Sequence, residues 1–184
     1  MRLIKRPRRL RSSQSIRDLV RETNLSAADF IKPLFVVNGE NIKKEIPSMP
    51  DNYHLSLDQL EKEAARLVNL GIRAVILFGL PEYKDREGSG AWQQDGIVQR
   101  AVRKLITDLC LCQYTDHGHC GILEAGEIKN DATLSRLAKI ALSYAEAGAD
   151  LIAPSDMMDG RIAKIRETLD QNEFKEVGIM AYSA

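Results

Sequence analysis

Three cysteines lie within eleven residues, at Cys110, Cys112 and Cys120, and His117 and His119 lie just before the last of them. Thiolate and imidazole groups are the donors that zinc prefers, and catalytic zinc sites keep one position open for water or substrate. The three cysteines therefore predict a zinc site. Either histidine can supply a fourth ligand or an outer hydrogen bond.

The predicted geometry of this site depends on a strand and a loop. Apolar and polar residues alternate towards the end of the strand, which places Asp108, Cys110 and Cys112 on one side of it. A loop that contains Gly118 can then bring Cys120 back to the other two cysteines.

Two other uses of these cysteines are open. Free cysteines are often small buried hydrophobic residues, and Cys110 and Cys112 can exchange electrons as a redox pair. The single residue between those two, and the third thiol nearby, favour a metal. An odd, clustered set of cysteines is also poorly suited to a disulfide framework.

Short apolar runs alternate with stretches in which apolar residues recur every three or four positions, which predicts repeated βα units and a parallel sheet. Such sheets bind ligands at the carboxyl ends of their strands, where the cysteines fall. The predicted strands are Ile31–Val37, Ala74–Phe78, Leu105–Leu111, Leu151–Ala153 and Gly178–Tyr182.

Three helices are predicted between the strands from periodicity and end signals. The first begins after Ser56 and ends at Gly71, the second begins at Asp131 or Thr133 and ends at Gly148, and the third covers Gly160–Leu169. A fourth periodic segment, Gly96–Lys104, runs directly into the strand at Leu105 without a turn residue. Either this helix is very short, or residues are omitted between Lys104 and Leu105.

Composition limits the class of protein. The 26 Lys and Arg residues balance the 26 Asp and Glu residues, so no overall field attracts nucleic acid or an anionic membrane. The basic residues of the first segment, between Arg2 and Arg11, lack interleaved aromatic residues, so a solvated arm or an arm that packs on another subunit is favoured over nucleic-acid binding. No apolar run is long enough for a membrane span or a signal peptide, which predicts a cytoplasmic protein.

Several segments resemble the porphobilinogen synthase (5-aminolevulinate dehydratase) family, in family order. TDLCLCQYTDHGHCGIL resembles the zinc signature of that family, and APSDMMDGRIAKIRETL resembles its next strand and helix. RRLRSS, IKPLFVVNGENIKKEIPSMP, ILFGLPEYKDREGSGAW and IMAYSA are also similar to family segments. The chain is identified as a member of the zinc-dependent type of this family, covering its N-terminal portion.

The resemblance implies a (β/α)8 TIM barrel, of which about five βα units are present in residues 31–184, and a basic arm with a short helix in residues 1–30. It implies a hydro-lyase of heme biosynthesis that condenses two 5-aminolevulinate molecules to porphobilinogen, with loss of two waters. It also implies a homo-oligomer, commonly an octamer, in which the arm embraces a neighbour.

The resemblance assigns roles to particular residues. Cys110, Cys112 and Cys120 match the zinc ligands, and Asp108 and Ser155 match polar residues that orient substrate and move protons. Without the family, Asp108 is equally a cap or an ion-pair partner, and Ser155 is equally a turn residue.

The family forms Schiff bases with two lysines, and both are expected after Ala184, outside this sequence. The 184-residue chain alone is therefore predicted to be inactive and poorly soluble. Two alternatives are a non-catalytic, zinc-binding truncated homologue that associates with full-length subunits, and a fragment of an unrelated aldolase-type barrel.

Overall fold

The computed structural model describes residues 5–102 and 106–182. Five α-helices are described: α1 (Gln14–Leu19), α2 (Leu57–Asn69), α3 (Ile97–Ala101), α4 (Asn130–Glu146) and α5 (Arg161–Gln171). The described strands are β1 (Ile31–Val37), β2 (Lys43–Ile46), β3 (Met49–Leu55), β4 (Ala74–Leu80), β5 (Ile106–Leu109), β6 (Ile122–Glu124), β7 (Glu127–Lys129), β8 (Leu151–Pro154) and β9 (Gly178–Ile179). Short 3-10 helices cover Pro7–Arg11, Ala27–Asp29 and Ser89–Trp92.

The described residues form one main sheet of seven strands, in the order β2-β3-β1-β4-β5-β8-β9. From β1 to β9 the neighbouring strands are parallel and follow chain order, with Ile31 opposite Ala74 and Asp108 opposite Ala153. Because each of these strands is joined to the next by a crossover, the arrangement is that of an open portion of a (β/α)8 barrel. The predicted fold class is confirmed.

One side of the sheet carries a cavity that extends from β1 to the residues after β9. Ile31 at the start of β1, Ile76 in β4 and the segment from Met180 to Tyr182 line one cavity of about 310 Å³. Ile31 and Tyr182 keep 38% and 47% of their surface exposed. The lining of this cavity is mostly apolar and partly open to solvent in the described chain.

The main core lies on the other side of the sheet, between the strands and the helices. Apolar residues at helical spacing along α4 and α5, including Leu137, Ile140 and Leu169, have no exposed surface. They pack against strand residues such as Leu77 and Ile152. The burial of such side chains, worth roughly 1.5–3 kcal/mol each, holds the helical layer on the sheet.

All five predicted strands are present, but most of them end at residues other than those predicted. β1 has the predicted bounds, whereas β5 ends at Leu109, before the cysteines, and β9 ends at Ile179. The early end of β5 has a local cause, because the backbone amides of Tyr114 and Thr115 both bond to the carbonyl of Leu111 in a turn. Leu105 lies outside the described residues.

The helices also differ at their ends. α4 begins at Asn130, earlier than predicted, and the Thr133 hydroxyl accepts from the amide of Ile122 and donates to the carbonyl of Lys129. Gly160 precedes α5 as its N-cap residue. α3 is short, which agrees with one of the two predicted explanations for the Gly96–Lys104 segment; residues 103–105 are outside the described part, and the omission there remains a prediction.

Two hairpins were not predicted. β2 and β3 are antiparallel, and β3 adds to β1 only at Phe35 and Val36. β6 and β7 form a separate pair between the cysteines and α4. β2, β6 and β7 have three or four residues and none of them is buried, and β3 is exposed over its first three residues. Their sequences therefore lack the continuous apolar runs of the buried strands.

Candidate metal centre

The end of β5 places the first part of the site. β5 lies between β4 and β8, and Asp108 in it is 2% exposed. The chain then leaves the sheet at Cys110, and the turn at Leu111 brings Cys112 back towards it. The Sγ atoms of Cys110 and Cys112 are 3.2 Å apart.

A reversal of the chain brings in the third cysteine. Gly118 has φ of +72°, a left-handed conformation in which most side chains are strained. The hydroxyl of Thr115 donates to the carbonyl of His119 at 3.0 Å, which fixes the residue before Cys120. As a result, the three Sγ atoms all lie within 4.8 Å of one another.

The protonation of the three thiols is linked. Cys110 donates to Cys112, and this bond lowers the pKa of Cys112 to about 6. The same contact, together with burial, raises the pKa of Cys110. Burial raises the pKa of Cys120 as well. The cluster therefore favours one shared thiolate on Cys112 in the absence of a metal ion.

The cluster fits a metal ion with soft ligands. Zinc–sulfur bonds of about 2.3 Å in a tetrahedral site place sulfur atoms about 3.8 Å apart, within the observed spacing. Neither histidine belongs to the cluster in the described part of the chain. The rings of His117 and His119 stack on each other with centroids 5.5 Å apart, and His117 Nε2 lies 3.3 Å from the carbonyl of Arg86. The three thiols are therefore the candidate metal ligands in the described part of the chain.

Asp108 lies beside the thiols with one oxygen engaged and one free. The side-chain amide of Gln113 donates to Oδ2 at 3.0 Å, while Oδ1 is buried and has no partner among the residues that the structure describes. Burial raises the pKa of Asp108 to about 6, against the lowering effect of Ser155 and Gln113. The charge of Asp108 in turn raises the pKa of Cys112.

The turn after β8 completes this side of the site. The amide of Ser155 bonds to the carbonyl of Leu109 at 3.2 Å, which holds Ser155 next to the end of β5. Asp156 is 1% exposed and accepts from the amide of Met158 at 2.9 Å. The nearest cation is Arg161, whose Nε lies 3.8 Å from Asp156. Asp156 is therefore a buried residue that stabilises the turn before α5.

Sequence reasoning missed two contributors to the site. Gln113 contacts Asp108 directly, and its place one residue after Cys112 was the only available signal. Asp85, in the loop between β4 and α3, pairs through its backbone with Thr115 in the cysteine loop. That contact joins residues 30 positions apart, and nothing in the local sequence of either loop indicates it.

Comparison with known proteins places this arrangement in a family. The family model described as delta-aminolevulinic acid dehydratase matches residues 4–184. The chain belongs to that family. The predicted resemblance is thereby confirmed across nearly the whole chain.

Individual members of the family agree with the match. Delta-aminolevulinic acid dehydratase of Ruminiclostridium josui is 51% identical over 190 residues, covering 98% of this chain and 93% of that protein. The enzymes of the same name from Halalkalibacterium halodurans and Methanothermus sociabilis are each 53% identical, with 97% of this chain covered in both. The chain spans 57% and 58% of the length of those two relatives.

A solved structure of the family agrees as well. The crystal structure of delta-aminolevulinic acid dehydratase (porphobilinogen synthase) from Toxoplasma gondii, in complex with the reaction product porphobilinogen, superposes with a TM-score of 0.93. It is 38% identical and covers 98% of this chain, which covers 55% of that protein. Within the described residues, the helices are too short or too polar to cross a membrane.

Proposed function

We propose that this chain provides the metal-binding part of the catalytic site of a porphobilinogen synthase. The reaction is the condensation of two 5-aminolevulinate molecules to porphobilinogen, with loss of two waters, in tetrapyrrole biosynthesis. One observation carries the proposal: three Sγ atoms lie within 4.8 Å of one another, at the carboxyl end of a barrel strand and beside the buried Asp108. Carboxyl ends of strands are where barrel enzymes place their active sites.

Cys110, Cys112 and Cys120 are the proposed zinc ligands. Their sulfur donors and the open fourth position suit zinc over magnesium or calcium, which prefer oxygen donors. When bound, zinc supplies Lewis-acid polarisation of a substrate group. The three thiols of the chain would hold the ion next to Asp108.

Free thiols that serve as ligands also suit a reducing compartment, which supports a cytoplasmic location.

Asp108 and Ser155 are the proposed polar groups that orient substrate and move protons. Gln113 holds one oxygen of Asp108, which leaves Oδ1 as a fixed acceptor inside the site. A positioned acceptor of this kind can take a proton from a substrate carbon or nitrogen and return it later. Ser155 is fixed by its backbone bond to Leu109, so its hydroxyl can donate to a substrate group beside the carboxylate.

The covalent steps of the proposed reaction require lysines that form Schiff bases, and we place these after Ala184 in the natural protein. Within the described residues, the hydrogen bonds of lysine side chains go to Asn52, Glu127, Glu167 and Glu173, which lie outside the site. The relatives that extend well beyond the matched region have room for them.

An intact-mass spectrum of the natural protein, before and after treatment with 5-aminolevulinate and borohydride, tests this proposal. Borohydride reduces an imine to a stable amine, so a complete enzyme gains the mass of the reduced substrate adduct. A protein well above the 20.6 kDa of this chain that gains the adduct supports the proposal. A protein of about 20.6 kDa that gains none contradicts it.

The second candidate is a non-catalytic, zinc-binding homologue that associates with full-length subunits. The observation on the side of this candidate is that the chain covers 93% of the Ruminiclostridium josui relative. Zinc binding without any imine adduct in the same spectrum is the result expected for this candidate.

The N-terminal arm is proposed to pack on another subunit of a homo-oligomer, up to an octamer. Leu19 and Leu25 are 84% and 77% exposed, and α1 buries none of its described side chains within the chain. A short helix whose apolar residues are exposed has little stability unless a partner covers those residues. Deletion of residues 1–30 from the natural protein is expected to lower its mass by light scattering, and an unchanged mass contradicts this assignment.

A further inference from the structure

The loop between β4 and α3 is bound to the cysteine loop through the backbone of one residue. The amide of Asp85 donates to the carbonyl of Tyr114 at 3.2 Å, and the carbonyl of Asp85 accepts from the amide of Asp116 at 3.0 Å. Asp85 and Thr115 thus form a parallel bridge of the kind found between strands. The two loops meet at this bridge and depend on each other for their position.

The side chain of Asp85 shapes its own loop at the same point. Oδ1 accepts from the backbone amides of Glu87 and Ser89 at 3.0 and 2.9 Å, and Oδ2 accepts from the Ser89 hydroxyl. Gly88, between these donors, has φ of +70°. Such bonds from a carboxylate to the following amides mimic a backbone turn. Asp85 therefore fixes both the turn and the bridge.

The bridge bears most directly on the third thiol. The hydroxyl of Thr115, opposite Asp85, donates to the carbonyl of His119, and the backbone carbonyl of Thr115 accepts from the amide of Gly118, so Thr115 holds the segment that ends at Cys120. Cys110 follows β5 directly, and Cys112 lies in the turn at Leu111. The amide of Thr115 also bonds to the carbonyl of Leu111 in that turn, but the turn is closed by its own hydrogen bonds, so Cys120 depends most on the loop contact.

We propose that Asp85 is a positioning residue of the metal centre, which holds Thr115 and thereby places Cys120 against Cys110 and Cys112. This inference rests on the proposed zinc site for its function, but the contact itself is independent of zinc. Asp85 acts through Thr115 and His119, on the residue that supplies the third sulfur. Partners of this outer kind are worth about 10-fold to 100-fold in metal affinity.

The test compares Asp85→Ala with Asp85→Asn in the natural protein. Alanine removes the acceptors for Glu87 and Ser89, whereas asparagine keeps Oδ1 and can donate to the Ser89 hydroxyl. Zinc affinity, measured by competition with a coloured chelator, is expected to fall about tenfold or more in the alanine variant. The asparagine variant is expected to remain within about threefold of the unmodified protein.

A second readout separates positioning from general destabilisation. In zinc-free protein, the alkylation rate of each cysteine is measured by mass spectrometry of its peptide. Asp85→Ala is expected to raise the rate at Cys120 and to leave buried Cys110 unchanged. Loss of global stability would instead expose all three thiols, so an equal rise at all three overturns the inference, as does unchanged zinc affinity.

Two further variants keep the test decisive. Asp116→Ala is the matched control, because Asp116 is exposed and its side chain makes no hydrogen bond in the described part of the chain; a loss as large as that of Asp85→Ala contradicts the inference. If Asp85→Ala fails to fold, Ser89→Ala removes one bond and is expected to give a smaller effect at Cys120 alone. If the unmodified protein binds no zinc, the proposed site fails, while the alkylation pattern still tests Asp85.

Discussion

Individual side chains decide whether the site can hold a metal ion and manage protons. The three thiols converge although they arise from two different segments, and their mutual contacts favour one thiolate before any metal arrives. Asp108 next to them has one oxygen held and one free. Substitutions that change one functional group therefore test the metal site and Asp108 most directly.

Cys120→Ser is expected to lower zinc affinity more than about a hundredfold, because a serine hydroxyl is a poor replacement for a thiolate ligand. Zinc content after dialysis against a chelator measures this. His117→Ala is the control, since His117 lies outside the cluster. Equal zinc retention by Cys120→Ser and the unmodified protein would contradict the proposed three-cysteine site. Loss of zinc in His117→Ala would instead indicate that His117 is a zinc ligand.

The raised pKa of Asp108 predicts that the stability of the zinc-free protein depends on pH. Its pKa is about 6 in the folded chain, against 3.8 for an ordinary aspartate. Between these pH values the unfolded chain has released the proton and the folded chain retains it, so the free energy of unfolding falls as pH rises. A difference of about two pH units corresponds to roughly 3 kcal/mol.

Asp108→Asn cannot ionise and is expected to lose this part of the pH dependence. Urea unfolding of both proteins with a chelator, at pH 4 and pH 7, measures it. The unmodified protein should lose stability relative to the variant as pH rises. Parallel pH profiles for the two proteins would show that burial does not raise the pKa of Asp108.

Secondary-structure elements bring these side chains together through close packing. β4 and β8 flank β5 and set the position of Asp108, while the loops after β4 and β5 meet at Asp85.

At Gly79 in β4, the side chains that pack on the strand leave no room for a further side chain. A Cβ atom there would lie 2.3 Å from Val98 Cγ2 and 2.6 Å from the hydroxyl oxygen of Tyr114.

Gly79→Ala is therefore expected to destabilise the protein by about 1–3 kcal/mol, the usual cost of overpacking. Gly90→Ala is the matched control, because the nearest atom to its new Cβ is Tyr114 Cδ1 at 3.5 Å, an ordinary contact. Urea unfolding of both variants measures the difference. A Gly79→Ala protein as stable as Gly90→Ala would mean that α3 and Tyr114 shift without cost.

The described chain forms an open sheet that ends at β2 and β9, and apolar residues beside it, such as Ile31 and Tyr182, are partly exposed. Open edges and exposed apolar surface favour association with other chains. The 184-residue chain expressed alone is therefore expected to aggregate or to bind a partner, and to form no porphobilinogen. Size-exclusion chromatography and a porphobilinogen assay test this, with the full-length Halalkalibacterium halodurans relative as control. A monodisperse and active 184-residue chain would contradict the prediction.

The sequence by itself determined the family, the parallel βα order and the identity of the three thiols. These follow from local information: apolar periodicity, end signals and a motif in which the ligands are close along the chain. The bounds of β1 and the position of Gly71 after α2 were predicted correctly for the same reason.

Only the tertiary structure decided how the site is held. The contacts of Gln113 with Asp108, of Ser155 with Leu109 and of Asp85 with Thr115 join separate segments, and hydrogen bonds of this kind leave no periodic pattern in the sequence. The early end of β5 is different, since the turn at Leu111 that competes with the sheet for the backbone is local. Local patterns choose the elements, whereas packing and distant hydrogen bonds set the positions of the functional side chains.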